Sequence, residues 1–189
     1  VWYVSNNGDN NYMGTINYPL ATMAQANSLA SDGDTILFYD GNYEGSTLNK
    51  KLLIAPYSFD STNYGVSFKA LNINSDSTVI TNILIDLDNT TASSQGIHIS
   101  SATNVIIDNC KITNFINDSN YGIYANSSSS VKILNCDISN NYCGIYAYNS
   151  SIYIDNSKIY DNDSFDHYST GSAIYLRNDS GSLTINNSE

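Results

Sequence analysis

The chain has 189 residues, 41% of them hydrophobic, and seven basic side chains against 18 acidic ones give a net charge of −11. That length and apolar content suffice for one sizeable core. The acidic surface repels phosphate backbones and anionic lipid, so no nucleic-acid partner is expected. No run of eighteen apolar residues occurs, so direct membrane insertion of this segment is not expected either.

In chain order, WYVSNNGDNNYMGT reads as a strand and a turn. The segment PLATMAQANSLASDGDTILFYDGNYEG then gives a short helix, a Gly-Asp turn and a strand. Met23, Ala26 and either Leu29 or Ala30 fall on one helical face, suited to covering the open end of a stack of strands. Residues 1–56 are therefore expected to form an N-terminal cap and first rungs, and residues 57–189 the repeating part of one domain. The chain opens on Val1 rather than Met and stops inside a repeat, so a processed or excised piece of a longer protein is expected.

The repeats start weakly with Leu71 and Ile73, then become explicit: VIIDNCKITNF from Val105, VKILNCDISNN from Val131, IYIDNSKIYDN from Ile152 and LTINNSE from Leu183. Apolar residues alternate within each copy, which is the period of a strand with one buried face. The phase resets after Asn82, Asn109, Asn135, Asn156 and Asn187, and asparagine is a residue that tolerates a left-handed bend. These asparagines are spaced by 27, 26, 21 and 31 residues. A second short strand lies upstream of each bend, at Gly96-Ile-His-Ile, Gly122-Ile-Tyr-Ala, Gly144-Ile-Tyr-Ala and Ala173-Ile-Tyr-Leu. No unit can bury its apolar face alone, so the units must stack. Unequal loops on a constant frame predict an all-β right-handed parallel β-helix solenoid with a short N-terminal capping helix.

Cys110 and Cys136 take the position that Ser157 and Ser188 take in later copies, a small inward site better suited to a packed thiol than to a bridge. The next residues outward, Lys111, Asp137, Lys158 and Glu189, alternate in sign when stacked in register.

The N-terminal segments Tyr3-Val4-Ser5, Gly8-Asp9, Gly33-Asp34-Thr35-Ile36 and Gly41-Asn42-Tyr43 resemble the entry of right-handed β-helix proteins of the pectin-lyase-like superfamily. Together with the rungs, the likeness covers nearly the whole chain. The Asn- and Tyr-rich rungs look most like adhesin-like surface proteins of methanogenic archaea. That resemblance implies export, an extracellular, envelope-associated location, and contact with glycans or surface components of other cells.

The superfamily also contains polysaccharide lyases, hydrolases and esterases, which need clustered carboxylates. The outward columns read Asn72, His98, Tyr124, Tyr146, Tyr175 and, beside them, Asn74, Ser100, Asn126, Tyr148, Arg177, with no carboxylate in either. Asp108 and Asp155 share a column but have Leu134 between them. No catalytic residue is assigned. His98, Tyr124, Tyr146, Tyr148 and Tyr175 form an aromatic strip that reads either as a structural ladder or as a glycan-binding surface. The loop DNDSFDHYSTG holds Asp161, Asp163, Asp166 and His167, a calcium candidate or simply a solvated loop; no other cofactor is expected. Asn-x-Ser/Thr triplets at Asn89, Asn117, Asn126, Asn149, Asn162, Asn178 and Asn186 would be glycan acceptors in an exported protein. The expected function is an adhesin-like, non-catalytic binding domain. The alternatives are a polysaccharide-active enzyme fragment or a passive stalk.

Overall fold

The structure is a computed structural model that describes residues 1–60, 63–87, 95–117, 119–128, 130–162, 172–177 and 181–189. Among these, twenty short strands form three parallel sheets, and one helix lies outside them. The first sheet has eight strands, from Trp2–Val4 to Leu183–Asn186. The second has six, from Thr47–Leu48 to Ser172–Arg177, and the third six, from Gly41–Tyr43 to Lys158–Tyr160. Each full coil gives one strand to each sheet, so beyond the opening pair, Trp2–Val4 on Thr35–Phe38, the ladders join strands of successive coils rather than neighbours in sequence. One such coil runs Ile106–Asp108, Lys111–Thr113, Tyr121–Asn126.

The alternation of the sequence sets this arrangement. Ile107, Ile133 and Ile154 of the first sheet are fully buried, and they meet Ile85, Ile112 and Ile138 of the third inside the column. The corners follow from the asparagines. Asn82, Asn109, Asn135, Asn156 and Asn187 all adopt left-handed backbone, with φ between 47° and 61°. Their amides stack as well: Asn109 Nδ2 donates to Asn82 Oδ1 at 2.6 Å, and Asn156 Nδ2 to Asn135 Oδ1 at 2.7 Å. Two further corners turn the same way, at Asn114, Asn140 and Asp161, and at Ser101, Ser127 and Asn149. Short polar side chains bear this conformation better than most, since they bond locally.

The residue after each first-series corner points inward. Cys110 Sγ donates to the carbonyls of Ile80 and Asp108, Cys136 Sγ to those of Ile107 and Leu134, and Ser157 Oγ to those of Ile133 and Asp155. Cysteine and serine interchange here because the site needs a small side chain with one donor. All three cysteines are free and buried, and burial pushes the Cys136 thiol up to about 12, so it stays unionised.

The helix α1 (Met23–Leu29) covers the first coil. Met23, Ala26 and Ala30 are the buried face, whereas Leu29 is exposed. Thr22 caps its start by accepting the Gln25 N–H. Lys50 closes its other end, where the ammonium donates to the carbonyls of Asn27, Ser28 and Ala30 at 2.8, 3.0 and 2.6 Å. A cation there satisfies carbonyls that the helix leaves without partners.

The charged column stacks as its alternation requires: Lys111 pairs with Asp137 and Asp137 with Lys158 in the third-sheet register. Only the Lys158–Glu189 step closes as an ion pair. Asp137 instead accepts the hydroxyls of Ser139 and Tyr160.

Candidate functional site

The second sheet brings the aromatic residues together. His98 pairs with Tyr124, Tyr124 with Tyr146, and Tyr146 with Tyr175, one residue per floor. The neighbouring column is Ser100, Asn126, Tyr148 and Arg177. The inward residues between them, such as Ile123, Ala125, Ile145 and Ala147, are buried and hold the sheet to the core.

The rings pack on one another. His98 lies flat on Tyr124, with centroids 4.8 Å apart and planes 10° from parallel. Tyr124 meets Tyr146 edge-on at 5.4 Å, and Tyr146 stacks on Tyr175 at 5.2 Å. Tyr121, which the sequence reading omitted, joins the ladder and stacks on Tyr146 at 4.6 Å. Its backbone aligns with Cys143 and Ser172, but its ring turns outward. Arg177 covers the Tyr148 ring at 5.8 Å, a cation–π contact. Stacking of this kind hides ring faces, so solvent meets mostly ring edges and phenol hydroxyls. Tyr175, 36% exposed, is the most open member. Partial burial raises the Tyr121 and Tyr124 hydroxyls above their usual range, so both remain protonated donors at neutral pH.

His98 anchors the lower end. Its Nε2 is buried and has no hydrogen-bond partner, and burial lowers its pKa below the ordinary 6.5. The folded state therefore binds fewer protons than the unfolded chain in this range. The linked stability is fully present above about pH 6.5, falls as the pH drops, and levels off below the depressed folded value. A His98→Phe variant, which keeps the stack, is expected to lose less stability than wild type between pH 7 and pH 5 in urea melts. Parallel pH profiles for the two would sink the assignment.

The other sequence-derived sites separate. Asp108 and Asp155 do share a first-sheet column, with Leu134 between them. Of the calcium candidates, Asp161 is a left-handed corner whose carbonyl accepts the Asn140 N–H at 3.1 Å, while Asp163, Asp166 and His167 lie outside the described residues. Among the described residues no cluster of three His, Cys, Asp or Glu side chains assembles. Asn162 is corrected from a glycan acceptor to a core residue: it is buried, its Nδ2 donates to the Ile138 carbonyl, and its Oδ1 accepts from Asn141. Asn89 and Asn178 lie outside the described residues.

Three parallel sheets wound by one chain define a parallel β-helix. The chain belongs to the right-handed beta helix region family, whose model matches residues 27–189. No curated protein matches it in sequence. Among solved structures it is similar to pectate lyase Pel9A, with 17% identity and a TM-score of 0.57 over 99% of this chain and 62% of that one. It is also similar to a mutant pectin methylesterase in complex with a hexasaccharide, with 12% identity and a TM-score of 0.60 over 98% and 66%. A third is the pectin methylesterase from Aspergillus niger in deglycosylated form, with 13% identity and a TM-score of 0.53 over 100% and 85%. The chain thus spans less than two thirds of the length of the first two. At these identities the likeness is one of fold.

Proposed function

We propose that this β-helix is an adhesin-like, non-catalytic module outside the cell, associated with the envelope, whose second sheet contacts carbohydrate on another cell's surface. The observation that carries this reading is the ladder of His98, Tyr124, Tyr146 and Tyr175, a partly exposed aromatic column that runs through four successive floors. Floors lie about 4.8 Å apart, a repeat comparable to that of extended sugar units. Phenol hydroxyls and ring edges, with the Asn126 amide and Arg177 alongside, suit the hydroxyl rims of such units. The resemblance to adhesin-like proteins of methanogenic archaea supports the same reading.

The test is retention on immobilised polysaccharides and whole cell envelopes, beside a folded Tyr124→Ala, Tyr146→Ala, Tyr175→Ala variant. Retention is expected to fall at least about tenfold in the variant, because such aromatic contacts dominate binding surfaces. Equal retention would move the contact elsewhere, and none by either protein would leave a stalk with a structural ladder. One observation favours a second reading, a segment of a polysaccharide-active enzyme: the fold is shared with a pectate lyase and with pectin methylesterases. Release of new sugar ends from pectin or pectate by the chain would establish that reading and displace the first.

A further inference from the structure

Two pairs of tyrosine rings stack among the described residues. Tyr121 lies on Tyr146, with centroids 4.6 Å and planes 23° apart, and Tyr146 lies on Tyr175, at 5.2 Å and 21°. Other tyrosine pairs meet edge-on or tilted, as Tyr124 meets Tyr146 at 72° and Tyr39 meets Tyr57 at 40°.

Register separates the two stacked pairs. Tyr146 and Tyr175 are direct partners on successive floors of a parallel ladder, with Ile145 opposite Ile174 beside them. Identical side chains that leave parallel strands in register and stack run the same way, so hydroxyl lies over hydroxyl and each ring carbon ortho to it over its counterpart. Tyr121 instead pairs with Cys143, three residues from Tyr146 on that floor, so its ring crosses about 10 Å of strand to reach Tyr146 and like atoms are displaced. Tyr175 is also open to solvent, at 36% exposure, whereas Tyr146 is half-buried beneath it.

This arrangement suits radical coupling of phenols. We propose that Tyr146 and Tyr175 are a site of oxidative cross-linking, where hydrogen peroxide and a one-electron oxidant of the haem-peroxidase class join them as dityrosine and staple two successive floors. Oxidation starts at Tyr175, which gives up one electron and one proton. Hydrogen-atom transfer from Tyr146 then hands the radical inward, and Tyr175 is oxidised again. The two phenoxyl radicals form one carbon–carbon bond between positions ortho to their hydroxyls. The hydrogen on each joined carbon moves to the phenol oxygen, which restores both rings. In sum, two hydrogens leave the protein and reduce one hydrogen peroxide to two waters. Contact replaces the encounter that free phenols need, which selects this pair over tyrosines that lack it. The reaction needs no glycan, so its outcome is independent of the binding proposed above.

The experiment treats the whole chain, dilute enough to be monomeric, with a haem peroxidase and hydrogen peroxide. Trypsin cuts after Lys111, Lys132, Lys158 and Arg177, which places Tyr121, Tyr146 and Tyr175 on residues 112–132, 133–158 and 159–177. Mass spectrometry is expected to find 133–158 joined to 159–177 with loss of two hydrogens, with fragment ions placing the bond at Tyr146 and Tyr175. Phenylalanine keeps the stack and removes the phenol. Tyr146→Phe and Tyr175→Phe, each checked as folded by circular dichroism, should therefore lower that product at least about tenfold. Tyr57→Phe, in the tilted cluster of the first coils, should leave it unchanged. A bond that maps to another pair, 112–132 joined to 133–158 included, overturns the proposal. So does a product that chiefly joins separate chains, an equal yield in Tyr175→Phe, or the absence of any cross-link.

Discussion

Replacing Asn141 with alanine is expected to destabilise the chain by about 3–5 kcal/mol, because two or more buried polar groups lose their partners at about 1–3 kcal/mol each. Asn141 is 1% exposed and bridges three coils. Its Oδ1 accepts the Phe115 N–H at 3.2 Å from the coil below, and its Nδ2 donates to the Ile112 carbonyl at 3.2 Å. Above, Asn162 Oδ1 accepts both the Asn141 backbone N–H and its Nδ2, at 3.1 and 2.9 Å. Alanine keeps the backbone contact and deletes the rest, and no water reaches the vacated space without entering the core. Asn140 supplies the control. It is exposed, and its left-handed backbone, φ 54°, is its main structural duty. Asn140→Ala should therefore cost only about 1–2 kcal/mol, the penalty of an L-residue without a local bonding group in that region. Guanidinium melts of the two variants beside wild type decide the matter. Equal midpoints for the two variants would remove Asn141 from the list of residues that tie the coils together.

The same pair shows why part of this fold was legible in the sequence and part was not. The first corner could be read because its asparagine recurs between two short strands, with only two residues between the end of one and the start of the next. The second corner, at Asn114, Asn140 and Asp161, precedes loops of unequal length, so no fixed spacing announces it. Both corners nonetheless obey one rule: the next residue turns inward, as Cys110 and Cys136 do after the first and Phe115, Asn141 and Asn162 after the second. Read that way, Asn162 is a core residue; read as Asn-Asp-Ser, it is a glycan acceptor, and local sequence alone does not choose. Tyr121 escaped for a related reason. Strict alternation from Ile123 places it inward, but Gly122 lies between them and the ring leaves the core. The aromatic column itself was legible because each member follows an isoleucine in a repeated Gly-Ile or Ala-Ile phrase. That its rings would cover one another's faces was not, since ring orientation is decided by packing across floors.

Gly122→Ala is expected to destabilise by about 2–4 kcal/mol, and Gly122→Val more severely, since overpacking against backbone leaves little room to relax. A Cβ at Gly122 would stand 2.8 Å from the Gly144 carbonyl oxygen and 2.9 Å from Asn141 Nδ2. Gly96 and Gly144 sit in the same column, where a Cβ would come within 2.4 Å of the Gly122 oxygen and 2.6 Å of the Ala173 oxygen. The obstacle is therefore the next floor's backbone at the fixed spacing of a parallel ladder, and a carbonyl there cannot retreat without breaking the hydrogen bonds on either side. Backbone conformation is not the cause, because Gly122 is not among the residues with positive φ. Gly33 isolates that other cause: its φ is 90°, and a Cβ there would meet nothing within 4 Å. Gly33→Ala should cost about 1–2 kcal/mol from left-handed strain alone. The column also predicts a gradient, because Ala173 already carries a methyl group and is exposed. Ala173→Val should be tolerated within about 0.5 kcal/mol, the usual range for a surface change away from special features. Thermal and guanidinium melts of the four variants test this ranking. If Gly122→Ala proves no worse than Gly33→Ala, the floors can part by several tenths of an ångström, and close approach of successive backbones is not what selects glycine here.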